Sequence, residues 1–281
     1  LVGSEMCIRD RPTTKAQYLA RSVPLPPKLF SHNDQQSVWQ SSSPEGSVSG
    51  WGGRIGDVAM SNNGSSVFSC ISVTGNAVFV SGKTAVQYQV SSGGAVPING
   101  VKAPVFGSSA VGSALQNLIT QTSLHTLENE HAKVTARSIT AEGQVTSALA
   151  GIAPIATPFT STNPLASQLQ MVAKLIAARN TLGAKRQVYF VSIGGFDLHD
   201  FLPEQHPGLL TNVSDALTSF YNATVELGIS NNVTAFTASD FGRTLASNGD
   251  GADHGWGSHH FVLGGAVKGK QFYGNAPAMA V

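Results

Sequence analysis

The apolar period changes several times along the chain, and each change marks an element. In LASQLQMVAKLIAARNTLG, Leu165, Leu169, Val172 and Ile176 recur at helical spacing, and Gly183 is placed as the C-cap. QVYFVSI (187–193) is a short continuous apolar run, the pattern of a buried parallel strand. NVTAFTA (232–238) is a second such run. Between them, residues 208–227 carry apolar side chains at 209, 213, 217, 220 and 221, which predicts a helix. Strand, helix, strand make one right-handed crossover unit. The two strands are therefore expected as parallel neighbours or near neighbours in one central sheet, with the helix on a face. Upstream, 108–150 has a helical pattern. Residues 66–105 read as short strands (SVFSCISV, NAVFV, AVQYQV) between turn clusters, and 12–60 as loop-rich.

The first residues, LVGSEMCIRD, fit no such period and lack the basic, apolar and small-residue parts of a signal peptide. A codon run for Leu1–Asp10 resembles a transposon-end adaptor of shotgun sequencing libraries. Its last bases admit only Ser or Arg next, and residue 11 is Arg. Residues 1–11 are set aside as an adaptor-derived segment and expected to be unpacked. Residues 12–281 are expected to be one domain, incomplete at both ends.

Composition narrows the function classes. Charged residues are 12% and the net charge is +1, with no basic stripe, so nucleic acid is not an expected partner. Low charge with abundant Ser, Thr, Gly and Asn suits an exported protein. Of the two cysteines, Cys7 lies in the adaptor segment, so Cys70 stands alone. That excludes a disulfide framework and a thiolate metal site. No apolar run is long enough to span a membrane.

Both buried strands run into acidic segments, GGFDLHD and SDFGRT, and ligands of open α/β sheets bind beyond the carboxyl ends of strands. Asp197 and Asp240 fall there. His199 faces the same point as Asp197 if the chain stays extended. DGADHGWGSHHFVLGG adds Asp253, His254, His259 and His260, and five of the eight histidines lie between 199 and 260. Oxygen and imidazole ligands without thiolates suit zinc, manganese or iron. Bland alternatives stand beside this: Asp240 as a helix cap, His199 as a surface loop residue, and Arg243 as either an anion ligand or an internal salt bridge. His259 and His260 are adjacent and point apart in a strand. In FSHNDQQSVWQ, Ser31 sits where an exposed nucleophile would, and Ser31 or Asp34 equally suits the cap of a helix through DQQSVWQ. GWGGRIGD reads as a Gly-rich turn without phosphate-loop spacing.

PTTKAQYL, PLPPKLFSHNDQQSVWQ, GWGGRIGD, GGFDLHD, SDFGRTLASNG and ADHGWGSHHFVLGGAVKG together resemble the bacterial domain-of-unknown-function family 1501, from Pro12 to the end. That family is similar to the alkaline phosphatase and sulfatase superfamily. The resemblance implies a three-layer α/β/α sandwich, export, often by a twin-arginine signal, and a divalent metal, zinc first, with manganese or calcium as alternatives. It implies Asp197 and His199 as ligands of one metal, Asp240 as a ligand of a second and His254 as a late ligand. Ser31 falls near the nucleophile loop, and Arg243 would meet a small anionic ester substrate. The superfamily's first metal-binding Asp is expected upstream of Pro12. Phe241 stands where alkaline phosphatases carry a ligating His, which favours a rival, a non-catalytic exported binding or surface-assembly protein.

Overall fold

The computed structural model describes residues 14–274 apart from 26, 27, 30, 44, 45 and 256. The adaptor-like segment and its expected lack of packing lie outside the described residues.

The chain is mixed helix and sheet. Its helices are α1 (Lys15–Leu19), α2 (His32–Ser41), α3 (Trp51–Ala59), α4 (Ser109–Thr120), α5 (Thr126–Ala150), α6 (Pro164–Ala177) and α7 (Leu202–Glu226). Its strands are β1 (Cys70–Ser72), β2 (Tyr88–Gln89), β3 (Val188–Phe190), β4 (Ala235–Phe236) and β5 (Val262–Leu263). β2, β1 and β3 form a parallel sheet in that order. The parallel reading of 187–193 therefore holds.

Alternation along the two longer strands divides the core. Ile71 and Tyr189 join α5, α6 and α7 in one cluster, with Val145, Leu169, Leu175 and Phe220. Cys70, Val188 and Phe190 meet Trp39 of α2 and Trp51 of α3 in the other. Helices thus lie against both faces of the sheet, as a parallel sheet requires. The predicted helices α5, α6 and α7 are present, and α7 packs against α6. α6 starts with Pro164 in its first turn, and the Asn163 side chain accepts from Leu165 and Ala166 N–H.

Four expectations are corrected. The described part of residues 12–60 carries three helices between its loops. Within it Thr14 caps α1 with a capping box, Ser31 caps α2, and GWGGRIGD is α3, whose glycines allow close packing rather than a turn. NAVFV is a 3₁₀ turn at Val78–Val80, not a strand. α6 ends at Ala177 with Ala178 as its C-cap, and Gly183, at φ 65°, closes the turn that follows. Finally, β4 does not hydrogen-bond to the parallel sheet among the described residues. It pairs antiparallel with β5, Ala235 opposite Leu263 and Phe236 opposite Val262. β4 still spans the same two layers as β3: Ala235 packs on the first cluster, and Phe236 stacks on Trp51 with ring centroids 5.4 Å apart.

α3 is tied to the loop before β2 by Asp57, whose carboxylate accepts from the backbone N–H of Lys83, Thr84 and Ala85 at 2.8, 2.8 and 2.6 Å. The Ala85 bond chiefly holds its carboxyl below the ordinary value; burial opposes, and the Thr84 and Lys83 bonds add to the lowering. A folded value below the unfolded one means stability present above the unfolded value and lost as pH falls through the folded one. Asp57→Ala is expected to cost about 1–2 kcal/mol in urea unfolding at pH 7, the solvent-exposed setting keeping it at the low end. The gap between wild type and Asp57→Asn should close as pH drops below about 4. A gap that does not narrow at all as pH falls would remove the charge from this account.

Candidate metal centre

Beyond β3 the chain turns through Gly195, at φ 94°, and reaches Asp197, the hub of the site. Its Oδ1 accepts from His254 Nε2 at 2.8 Å and from a terminal nitrogen of Arg243 at 2.9 Å, and lies 3.1 Å from His199 Nε2. Its Oδ2 lies 3.4 Å from His32 Nε2. His32 is the first residue of α2, so the helix capped by Ser31 delivers an imidazole to a carboxylate far along the chain. His32, Asp197 and His254 each offer one ligand atom, all within 4.8 Å of one another. The Asp197 side chain is 44% exposed, so the cluster is open to solvent.

Aromatic contacts fix the rings. Phe241 lies flat on His254, centroids 4.0 Å apart and planes 7° apart. The His32 ring stands edge-on to both, 5.1 Å from Phe241 and 4.9 Å from His254. His199 is held on its other side by Asp253, whose Oδ1 is 3.0 Å from Nδ1 and also accepts from Asn248 at 3.0 Å. Gly251 permits the approach of that loop: a Cβ there would sit 1.9 Å from the His199 carbonyl oxygen.

Charge follows geometry. Burial alone would push the Asp197 carboxyl up, but the hydrogen bond from His254 and the charges of His254, His199 and Arg243 outweigh it, and the carboxyl is held below its ordinary value. Asp253 is lowered too, chiefly by its bond to His199 and then by Asn248. Asp240 moves the other way. Burial raises it, and the Trp39 hydrogen bond and the His32 charge only partly offset this.

The structure brings Asp197, His199 and His254 together as the sequence suggested. The chain bends at His199, whose ring nevertheless reaches Asp197 through Nε2 and Asp253 through Nδ1, and His199 is not one of the three residues whose ligand atoms lie within 4.8 Å of one another. Asp240 lies near the cluster through the charge of His32, and among the described residues it is not grouped with His32, Asp197 and His254 as a ligand. Its Oδ1 accepts from Trp39 Nε1 at 2.9 Å, and no helix follows it to cap. Ser31 adjoins His32, but its hydroxyl donates to Asp34 at 2.6 Å while its oxygen caps α2. Of the two candidate roles for Arg243, the salt bridge is formed. His259 and His260 do point apart: His259 is exposed, while His260 is half-buried against Thr237 and Ser258.

A family model described as "Protein of unknown function (DUF1501)" matches residues 12–281. The chain belongs to the DUF1501 family. Comparison with curated proteins and with solved structures gives no match. In this DUF1501 chain, sequence reasoning passed over His32 as a ligand and Trp39 as the partner of Asp240. The signal for His32 was its place in SHND, at the start of a helix crowded with metal-capable groups. Nothing local in the sequence marked Trp39, because its contact spans 201 residues.

Proposed function

We propose that this chain is an exported, metal-dependent hydrolase of the phosphatase or sulfatase type, built on a three-layer α/β/α sandwich like that of the alkaline phosphatases. The observation that carries this is the convergence of His32, Asp197 and His254 from three separate segments. Two imidazoles and a carboxylate with no thiolate suit zinc with an open fourth position, and manganese next. Calcium, which takes six to eight oxygens, suits this donor set poorly. His32, Asp197 and His254 would hold the ion, which supplies Lewis acidity toward an ester oxygen when bound. Asp253 orients His199 beside Asp197. Ser31 is the proposed attacking group: it adjoins His32, and its proton is already shared with Asp34 at 2.6 Å. The substrate would be a small anionic ester. Among the described residues no helix is long and apolar enough to cross a membrane.

One observation favours a second reading. Phe241 covers one face of His254 with an apolar ring, and Asp240 is committed to Trp39. With Phe241 in place of an imidazole and one Asp240 oxygen bonded to Trp39, a second metal would have few ligands, as in a binding or surface-assembly protein that keeps the fold without full ligation. The discriminating measurement is zinc content after dialysis, with turnover of aryl phosphate and aryl sulfate esters, in wild type and His32→Ala. The hydrolase expects retained zinc and turnover in wild type and the loss of both in His32→Ala. No retained zinc in wild type would favour the binding protein.

A further inference from the structure

Resting on the metal-site proposal above, we infer that Arg243 is the positioning residue of this site, its guanidinium bolting the Asp197 segment to the His254 segment. The residue is placed first by its backbone. Its N–H donates to Gly257 O at 3.1 Å, and on either side Gly255 N–H donates to Gly242 O at 3.0 Å and Thr244 N–H to Asp253 O at 2.9 Å. The 242–244 stretch therefore lies along the loop that carries His254.

From there the side chain reaches across. One terminal nitrogen donates to Phe196 O at 2.8 Å and to Asp197 Oδ1 at 2.9 Å, and the other donates to Ala252 O. Three of its five N–H groups are thus spent on the protein, two of them on the segment that carries Asp197 and one on the loop that carries His254. The fork also lies 5.0 Å from the centroid of Phe241, the ring on which His254 is stacked. At 20% exposure the side chain is more enclosed than the Asp197 it holds, the reverse of a group presented to substrate. Lysine offers charge without the fork, so it cannot bridge both segments.

Removing the bolt lets Asp197 and His254 drift apart while leaving every ligand atom in the chain. Outer-shell partners of this kind cost about 10–100-fold in metal affinity when lost. The test uses the full chain with ¹⁵N-labelled histidine and two readouts. The first is the set of imidazole ¹⁵N–¹H correlations without metal, and the second is zinc affinity by competition with a chromophoric chelator. Arg243→Ala is expected to move the His254 and His199 ring signals toward solvent-averaged positions and to weaken zinc binding about 10–100-fold. Added methylguanidinium should restore part of that affinity, and Arg243→Lys should recover little of it. Arg243→Gln, with circular dichroism, serves if the alanine variant does not fold. Ring signals and zinc affinity unchanged from wild type in Arg243→Ala or Arg243→Gln would overturn the inference. A wild type that binds no zinc, with ring signals that still move in the variant, would remove the metal-site proposal and leave the bolt standing.

Discussion

Asp197→Ala is expected to abolish zinc retention. Its carboxylate is the single group that touches every other member of the cluster: His254, Arg243 and His199 through Oδ1, and His32 through Oδ2. Loss of an outer-shell partner alone costs roughly 10–100-fold in metal affinity, and loss of the only anionic ligand should exceed that. The same change removes the acceptor shared by Arg243, His199 and His254 and leaves Asp253 as the carboxylate on His199, so the site should loosen even without metal. Asp197→Asn separates the two effects. The amide keeps the shape and accepts some of the hydrogen bonds, but supplies no charge to neutralise a cation. It should therefore fold like wild type and still fail to hold zinc. The measurement is zinc per chain after dialysis, beside urea unfolding of the metal-free proteins. If Asp197→Ala held zinc as tightly as wild type, Asp197 would not be a ligand.

Gly53→Ala is expected to be the most damaging single methyl addition outside the site. A Cβ at Gly53 would lie 2.1 Å from both the carbonyl carbon and oxygen of Ser81 and 2.3 Å from Gly82 N. These are backbone atoms of the turn on which α3 rests, so no side chain can rotate away. Relief requires α3 to lift from a core that includes Phe79 and Val80. Overpacking of this kind costs about 3 kcal/mol, and for a domain of this size the melting temperature should fall by roughly 6–12 °C. Gly143→Ala is the control. It lies within α5 with nothing within 4 Å of the added carbon, so it should gain up to about 1 kcal/mol from helix propensity alone. Equal stability of the two variants in thermal or urea unfolding would show that α3 does not sit where it is placed.

How much of this was legible in the sequence depended on how local each cause was. α6 was readable because Leu165, Leu169, Val172 and Ile176 bury one stripe, and a stripe is a property of the segment itself. α7 was readable for the same reason, and β3 because both its faces are covered by helices. The pairing of β4 was not readable, since its apolar run suits either neighbour and only tertiary position chose β5. α3 was misread because its glycines serve packing, as Gly53 against Ser81 and Gly56 against Cys70 illustrate, and a sequence does not distinguish that from a turn. In the site, Asp197, His199 and His254 could be found because acids and histidines clustered after apolar runs. The Trp39–Asp240 bond and the arrival of His32 join distant segments, and no local pattern announces them.

The separation of 201 positions between Trp39 and Asp240 also orders events during synthesis. At about 5–20 residues per second, Trp39 leaves the ribosome roughly 10–40 s before its carboxylate partner exists. His254 appears later still. α2 must wait through that interval with its aromatic side uncovered, and the loop-closure cost falls due only when the distal segments arrive. A nascent chain stalled just short of His254 would hold all seven helices named above and lack one of the three proposed ligands. The proposed centre is therefore completed only after all seven helices named above have been synthesised.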